Sequence, residues 1–263
     1  MVILKYYVVD AFTDELFKGN PAGVCLLETE ISDVLMQKIA FENNLAETAF
    51  MLKKENKYYL RWFTPEVEID LCGHATLATA FVVMNYVDSE IKNIDFETKS
   101  GILSVIRNDD VYTMNIPSRM PVPTEKNVLL EKALGCKVLE THLSRDLLVL
   151  VEDEHTVANL NIDIELLSKI SKDISFALIV TAKGDSCDFV SRFFAPNAGI
   201  NEDPVTGSAH STLVPFWSKI LNKSNMIAKQ LSQRGGTLIC ENLDERVNIS
   251  GKATCYLIGE IIL

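Results

Sequence analysis

Two stretches of the chain carry the same features in the same order. RWFTPEVEIDLCGHATLATAF begins at Arg61, and RFFAPNAGINEDPVTGSAHSTLV begins at Arg192. Arg61-Trp62-Phe63-Thr64-Pro65 aligns with Arg192-Phe193-Phe194-Ala195-Pro196, and Gly73-His74-Ala75 with Gly207-Ser208-Ala209. The offsets, 131 residues (61 to 192) and 134 residues (73 to 207), are close to half of the 263-residue chain. A strand, a proline-marked turn, a glycine and a small-residue helix are therefore used twice. Both helices are apolar nearly all round: ATLATAFVV holds no charge, and STLVPFW none before Lys219. Such a helix needs protein on every side, so each half is expected to wrap a curved sheet around its own central helix. Pro215 should bend the second helix, because it removes one ladder bond.

β-type runs rich in Val, Ile and aromatics occur at LKYYVVDAF, AGVCLL, YYLRWF, ILSVIR, VYTMNI, DLLVLV, ALIVTA, DFVSRFF, GTLICE, RVNISG and TCYLIGEII. Helical spacing of apolar residues marks 31–44, 74–87, 126–135, 163–171 and 208–222. Many strands and few helices without strict alternation predict an α+β fold rather than a doubly wound sheet. The expected domains are residues 1–116 with a C-terminal strand near 254–263, and residues 117–253.

A net charge of −11 argues against nucleic acid or an anionic membrane as partner, since both need clustered Lys and Arg. No uncharged apolar run reaches the length of a membrane span. The six cysteines, at 25, 72, 136, 187, 240 and 255, form no CxxC pair and fit a reducing compartment. MVILKYYVVDAF carries Lys5 and Asp10 and lacks a small-residue cleavage site, so it is a first strand rather than a signal peptide. A cytoplasmic protein is the expectation. No GxGxxG follows a strand and no GxxxxGK[ST] is present, which gives nucleotide cofactors no support. No HExxH occurs among the four histidines, so no metal is expected either.

Helices starting at Gly73 and Gly207 expose first-turn N–H groups that need acceptors, and their positive ends can hold a carboxylate. If the halves face each other across a cleft, both ends point into it. Near them His74, Asp203 and Ser208 can do proton chemistry. Asp203 also fits turn formation before Pro204, while Ser208 and His74 also fit simple helix capping. His210 reads as a structural residue along its helix. Glu47, in NNLAETAF, sits among small and apolar neighbours that strip its hydration, raise its pKa and make it a usable base. It also fits a solvated strand start. Asn20, in the turn GNPAGV, and Gly235-Gly236, in SQRGG, are candidate ligand contacts that also read as turn residues.

Taken together, GNPAGV, ETAF, FTPEVEIDLCGHATLATA, EDPVTGSAH and QRGG, in this order, resemble the phenazine-biosynthesis PhzF-like family of the diaminopimelate-epimerase-like fold. The resemblance runs from about residue 5 to the C-terminus. It implies a pseudo-twofold pair of similar domains, each a mostly antiparallel sheet rolled around a central helix, with the site between them and a homodimer. It implies isomerisation without metal, pyridoxal phosphate or nucleotide. In it Glu47 moves a proton between substrate carbons, with His74, Asp203 and Ser208 as polar partners. Gly73 and Gly207 then start the helices that hold a substrate carboxylate. Racemases of this fold use two cysteines, one at each glycine-led turn. Here Cys72 has Thr206 as its counterpart, and a threonine cannot supply a thiolate. The expected protein is thus a cofactor-independent isomerase of a small carboxylate-bearing substrate. The alternatives are an epimerase using Cys72, a non-catalytic small-molecule binder, and a hydrolase using Cys72 and His74. The last is doubtful because two residues so close in sequence around a helix start make a poor nucleophile–base pair.

Overall fold

The computed structural model describes residues 2–172 and 174–263. The chain divides into two compact units, Met1–Asn115 with Ser250–Leu263, and Ile116–Ile249. The architecture is α+β, with mixed sheets and few helices. Among the described residues no helix is long and apolar enough to cross a membrane.

The first unit contains β1 (Ile3–Ala11), β2 (Asn20–Leu27), α1 (Asp33–Asn43), β3 (Glu47–Lys54), β4 (Lys57–Phe63), β5 (Glu68–Ile69) and α2 (Gly73–Val82). After these come β6 (Asn93–Thr98), β7 (Gly101–Asn108) and β8 (Val111–Pro117). The strand Ala253–Ile262 returns to pair antiparallel with β1. From β1 the pairings run antiparallel to β2, parallel to β3, antiparallel to β4, parallel to β6 and antiparallel to β7. Both sheet faces are covered. Helix α1 packs Met36, Ile39 and Ala40 with Cys25, Leu27, Phe50 and Phe63, while α2 lies against β1, β2 and β3. Residues 47–51 are accordingly all buried, and β3 shows none of the alternation of a half-exposed strand. Helix α1 starts on the Ser32 side chain and stops where Asn44 turns left-handed (φ 49°). That stop delivers the chain into β3 with Glu47 as its first residue.

The second unit contains β9 (Val122–Pro123), α3 (Leu130–Leu134), β10 (Glu140–Leu143), β11 (Leu147–Leu150), α4 (Glu154–Ala158), α5 (Ile164–Ser171) and β12 (Leu178–Lys183). It continues with β13 (Phe189–Ala195), β14 (Ile200–Asp203), α6 (His210–Leu221), β15 (Asn225–Gln230), β16 (Gly236–Leu243) and β17 (Arg246–Gly251). From β10 the pairings run antiparallel to β11, parallel to β12, antiparallel to β13, parallel to β15 and antiparallel to β16. This is the same succession of senses as in the first unit. Leu178 and Val180 of β12 pack with Leu130, Val157 and Leu167 under α3–α5. Thr181, one residue on, faces the other way and accepts from Trp217 Nε1 of α6 at 2.9 Å. Phe189 stacks on the same indole, 5.8 Å between ring centroids.

Several predicted boundaries move. The expected helix 74–87 is α2 followed by a π turn, Val83–Val87. The expected 208–222 helix opens as a 3-10 turn, Gly207–Ala209, before α6. The strands β6, β10 and β15 and the helix α4 lie outside the predicted runs.

Candidate functional site

Each unit gathers polar residues at the start of its central helix. In the first, Cys72 is the N-cap of α2 and makes no side-chain cap bond, so His74 does not cap the helix. Instead His74 is buried, 5 % exposed, and points its ring at one carboxylate, one amide and one thiol. Its Nε2 lies 3.0 Å from Glu47 Oε2, while Nδ1 has Asn20 Nδ2 at 3.2 Å and Cys72 Sγ at 3.5 Å. Glu47 is 6 % exposed, not a solvated strand residue. Its 3.0 Å contact with His74 is close but poorly aligned, and both Glu47 Oε2 and His74 Nε2 are buried without a hydrogen bond. An unsatisfied buried polar atom costs about 1–3 kcal/mol, so these two atoms are a destabilising feature of the core.

Burial alone would push the His74 imidazole down, but neighbouring Cys72 and Glu47 outweigh it and hold its pKa well above the ordinary histidine value. Burial, and then the Glu47 charge, push the Cys72 thiol up. The sulfur therefore stays protonated near neutrality. The doubt about Cys72 and His74 meeting does not hold, since the two side chains touch across the helix start. The ligand atoms of Glu47, Cys72 and His74 lie within 4.8 Å of one another. Glu47 and Cys72, however, approach different nitrogens of one ring, so an ion bound through one nitrogen leaves the third ligand on the far side. The set fits proton exchange better than chelation.

In the second unit, Thr206 is the N-cap before Gly207 and likewise makes no side-chain cap bond. Its hydroxyl donates to Asp203 Oδ2, and its N–H donates to Gln230 Oε1 at 2.8 Å. Gln230 also donates to the Asp203 carbonyl at 2.7 Å. Ser208 does not cap either; its Oγ accepts from Arg145 Nη2 at 3.2 Å. Ser232 donates to the Pro204 carbonyl and accepts from the Gly235 N–H, so the turn through Gly235 (φ +68°) and Gly236 is fastened to the Asp203–Thr206 segment. His210 is fully buried, with Nδ1 2.9 Å from the Thr206 carbonyl and its ring tilted on Phe189. The structure thus brings Glu47, Cys72, His74 and Asn20 together in the first unit. Asp203, Thr206, Gly207, Ser208 and Gly235 come together in the second.

Sequence reasoning missed Gln230 and Arg145. Gln230 stands three residues before the noticed QRGG stretch, and its alternation with Met226 and Ala228 as the buried residues of β15 was the available signal. Arg145 carried none, since SRDLL reads as an ordinary polar turn. The aligned arginines of the repeat make the same contacts. Arg61 pairs twice with Glu68, at 2.7 and 2.8 Å, and lies over Phe63. Arg192 pairs twice with Glu202, at 2.6 and 2.8 Å, and lies over Phe194.

Known proteins resemble this chain along its whole length. The family model described as phenazine biosynthesis-like protein matches residues 9–259. A protein of Pseudomonas aeruginosa named as an uncharacterized isomerase is 46% identical over 260 residues, covering 99% of each chain. The crystal structure of a phenazine biosynthesis PhzF-family protein from Enterococcus faecalis superposes with a TM-score of 0.97 at 48% identity, covering 100% of both chains. A predicted epimerase from P. aeruginosa shares the fold alone, with a TM-score of 0.76 at 17% identity and 99% of each chain covered. By sequence and by fold along its whole length, this chain belongs to the phenazine biosynthesis-like protein family.

Proposed function

We propose that the protein is a cofactor-independent isomerase that moves a proton between carbons of a small carboxylate-bearing substrate. The isomerase name of its relative supports the reaction class. The observation that carries the reading is the buried pair Glu47 and His74, whose facing atoms both lack a hydrogen bond. Glu47 takes a proton from a carbon next to a carbonyl or unsaturated system. The electron pair moves into that system, and Glu47 returns the proton at another carbon. His74, held protonated by its neighbours, stabilises the negative charge that develops on the substrate, together with the uncapped N–H groups that begin α2. Asp203 and Ser208 are proposed as polar contacts for substrate groups, and Gly207 as a source of backbone N–H. Asn20 positions the His74 ring. The reading includes an internal duplication, supported by the common succession of strand pairings and the twin arginine contacts. It includes a homodimer, for which exposed Tyr256, Ile258 and Ile262 on the C-terminal strand give support and sedimentation the test.

The test is exchange of solvent deuterium into carbon positions of candidate unsaturated and amino acids. With a true substrate, E47Q should slow exchange by about 100-fold or more while ligand binding persists. Exchange at the wild-type rate in E47Q removes Glu47 from the reaction. The contact between Cys72 Sγ and His74 Nδ1 favours one second reading, an epimerase using the thiol. Unchanged turnover in C72A eliminates it.

A further inference from the structure

Strand β13 carries β12 along one edge and two shorter partners along the other. On that second edge β15 pairs with Phe189–Ser191, and β14 pairs at Phe193 and Ala195. The ends of β15 and β14 therefore meet, with Gln230 beside Ser191 and Asp203 beside Phe193. The Gln230 side chain, 1 % exposed, spans this junction.

Its bonds leave no choice of orientation. A backbone N–H only donates, so the amide atom 2.8 Å from the Thr206 nitrogen is Oε1. A backbone carbonyl only accepts, so the atom 2.7 Å from the Asp203 carbonyl oxygen is Nε2. The second Nε2 hydrogen goes to Thr206 Oγ1, at 3.3 Å. A threonine hydroxyl has one hydrogen, and with Nε2 donating to its oxygen that hydrogen goes to Asp203 Oδ2. Donation thus runs one way, from amide to hydroxyl to carboxylate. A hydrogen bond of this sense favours the ionised carboxyl over the protonated one.

Thr206 is the N-cap before Gly207 yet makes no side-chain cap bond. A threonine there ordinarily spends its hydroxyl on the first turn of the helix. The first unit uses the aligned position in the same way: Cys72 leaves α2 uncapped and turns its sulfur to His74. In both units the residue before the glycine serves a titratable neighbour rather than its helix.

We propose that Gln230 is a positioning residue for the reaction, acting through Thr206 to hold Asp203 as a hydrogen-bonded carboxylate. The inference rests on the isomerase reading, in which Asp203 contacts substrate groups. A buried amide, one side chain removed, then decides which protonation state of Asp203 the substrate meets.

The test reads Asp203 directly, by NMR titration of protein labelled with carbon-13 at the aspartate side-chain carboxyls, with D203N assigning the signal. T206V removes only the relay hydroxyl and keeps the backbone N–H that Gln230 accepts from. Q230L also strips that N–H of its partner, so T206V carries the test should Q230L fail to fold, which circular dichroism checks. Each variant should raise the Asp203 midpoint by about one pH unit, because the ionised form has lost a donor. T206S should keep the wild-type midpoint, and T206V with Q230L should shift no further than T206V alone. Charged and titratable groups on the adjoining elements and turns, namely Arg145, Asp146, Arg192, Glu202, His210 and Arg234, are the same in all these variants. The difference in midpoint therefore reports the lost hydrogen bond. In deuterium exchange, T206V and Q230L should fall furthest below wild type at acid pH and recover above the raised midpoint. A wild-type midpoint in T206V, or T206S shifted as far as T206V, overturns the proposal. So does a shifted midpoint with exchange unaltered at every pH. No exchange by the wild type overturns the isomerase reading instead, and the titration, which needs no turnover, still decides whether Gln230 and Thr206 hold Asp203.

Discussion

Two histidines of the chain are both buried yet tuned in opposite directions, because their partners differ. His74 faces a carboxylate, and His210 faces only the Thr206 carbonyl. Activity should therefore fall as pH rises through the raised His74 pKa. H74N should be slow at every pH and lack this alkaline limb in its kcat/KM profile. Burial pulls His210 down to about 4, so it stays neutral in the folded protein. In the unfolded chain it takes a proton below the ordinary value of about 6.5. Stability from His210 is thus complete above about pH 6.5 and drains away towards pH 4, by roughly 3 kcal/mol. Urea titrations at several pH values should show that slope in wild type and a flatter one in H210L. At this scale the local sequence left Glu47 open between a buried base and a solvated strand start; the family resemblance favoured the base, and the structure shows the side chain buried. Arg145 was not legible, and Gln230 signalled only its burial, because their work is to hold other residues and nothing in their local pattern records a partner far along the chain.

At the level of elements, the buried helices solve their polar content internally. Thr76 and Thr79 of α2 donate to the carbonyls of Cys72 and Ala75, at 2.6 and 2.7 Å, so these hydroxyls cost little where no water reaches. Helix α6 does the converse: Pro215 has no N–H for the Ser211 carbonyl, which accepts instead from the backbone N–H of Arg119, at 2.8 Å. P215A should restore the N–H that competes for the Ser211 carbonyl. The expected result is faster hydrogen exchange at the Arg119 amide, read by mass spectrometry. Sequence periodicity located the central helices because their apolar faces run all round. It missed β6, β10 and β15 because they are short and carry polar residues on the outer face. Residues of β3 gave no alternation because α1 and α2 bury both sides. The 3-10 opening at Gly207 and the π turn after α2 depend on which carbonyl each N–H finds, which apolar spacing does not encode.

For the molecule as a whole, the half-length repeat was the most legible feature, since it needs only an ordered match of residue types. The succession of parallel and antiparallel pairings was not legible, because pairing partners are set by contacts between distant strands. One tryptophan reports on each unit: Trp62 is buried in the first and Trp217 in the second. A chain ending at residue 249 lacks the strand that covers β1. Its Trp62 emission should shift to the red, while Trp217 keeps a buried spectrum, as read in the single-tryptophan variants W217F and W62F. The pairing of Ala253–Ile262 with β1 also has a bearing on birth at the ribosome. Strand β1 is made about 240 residues (11 to 253) before Ala253–Ile262, so one of its hydrogen-bonding edges stays open while the intervening chain is made. Throughout that interval the open edge is a template for stray strands, which a nascent-chain chaperone would shield.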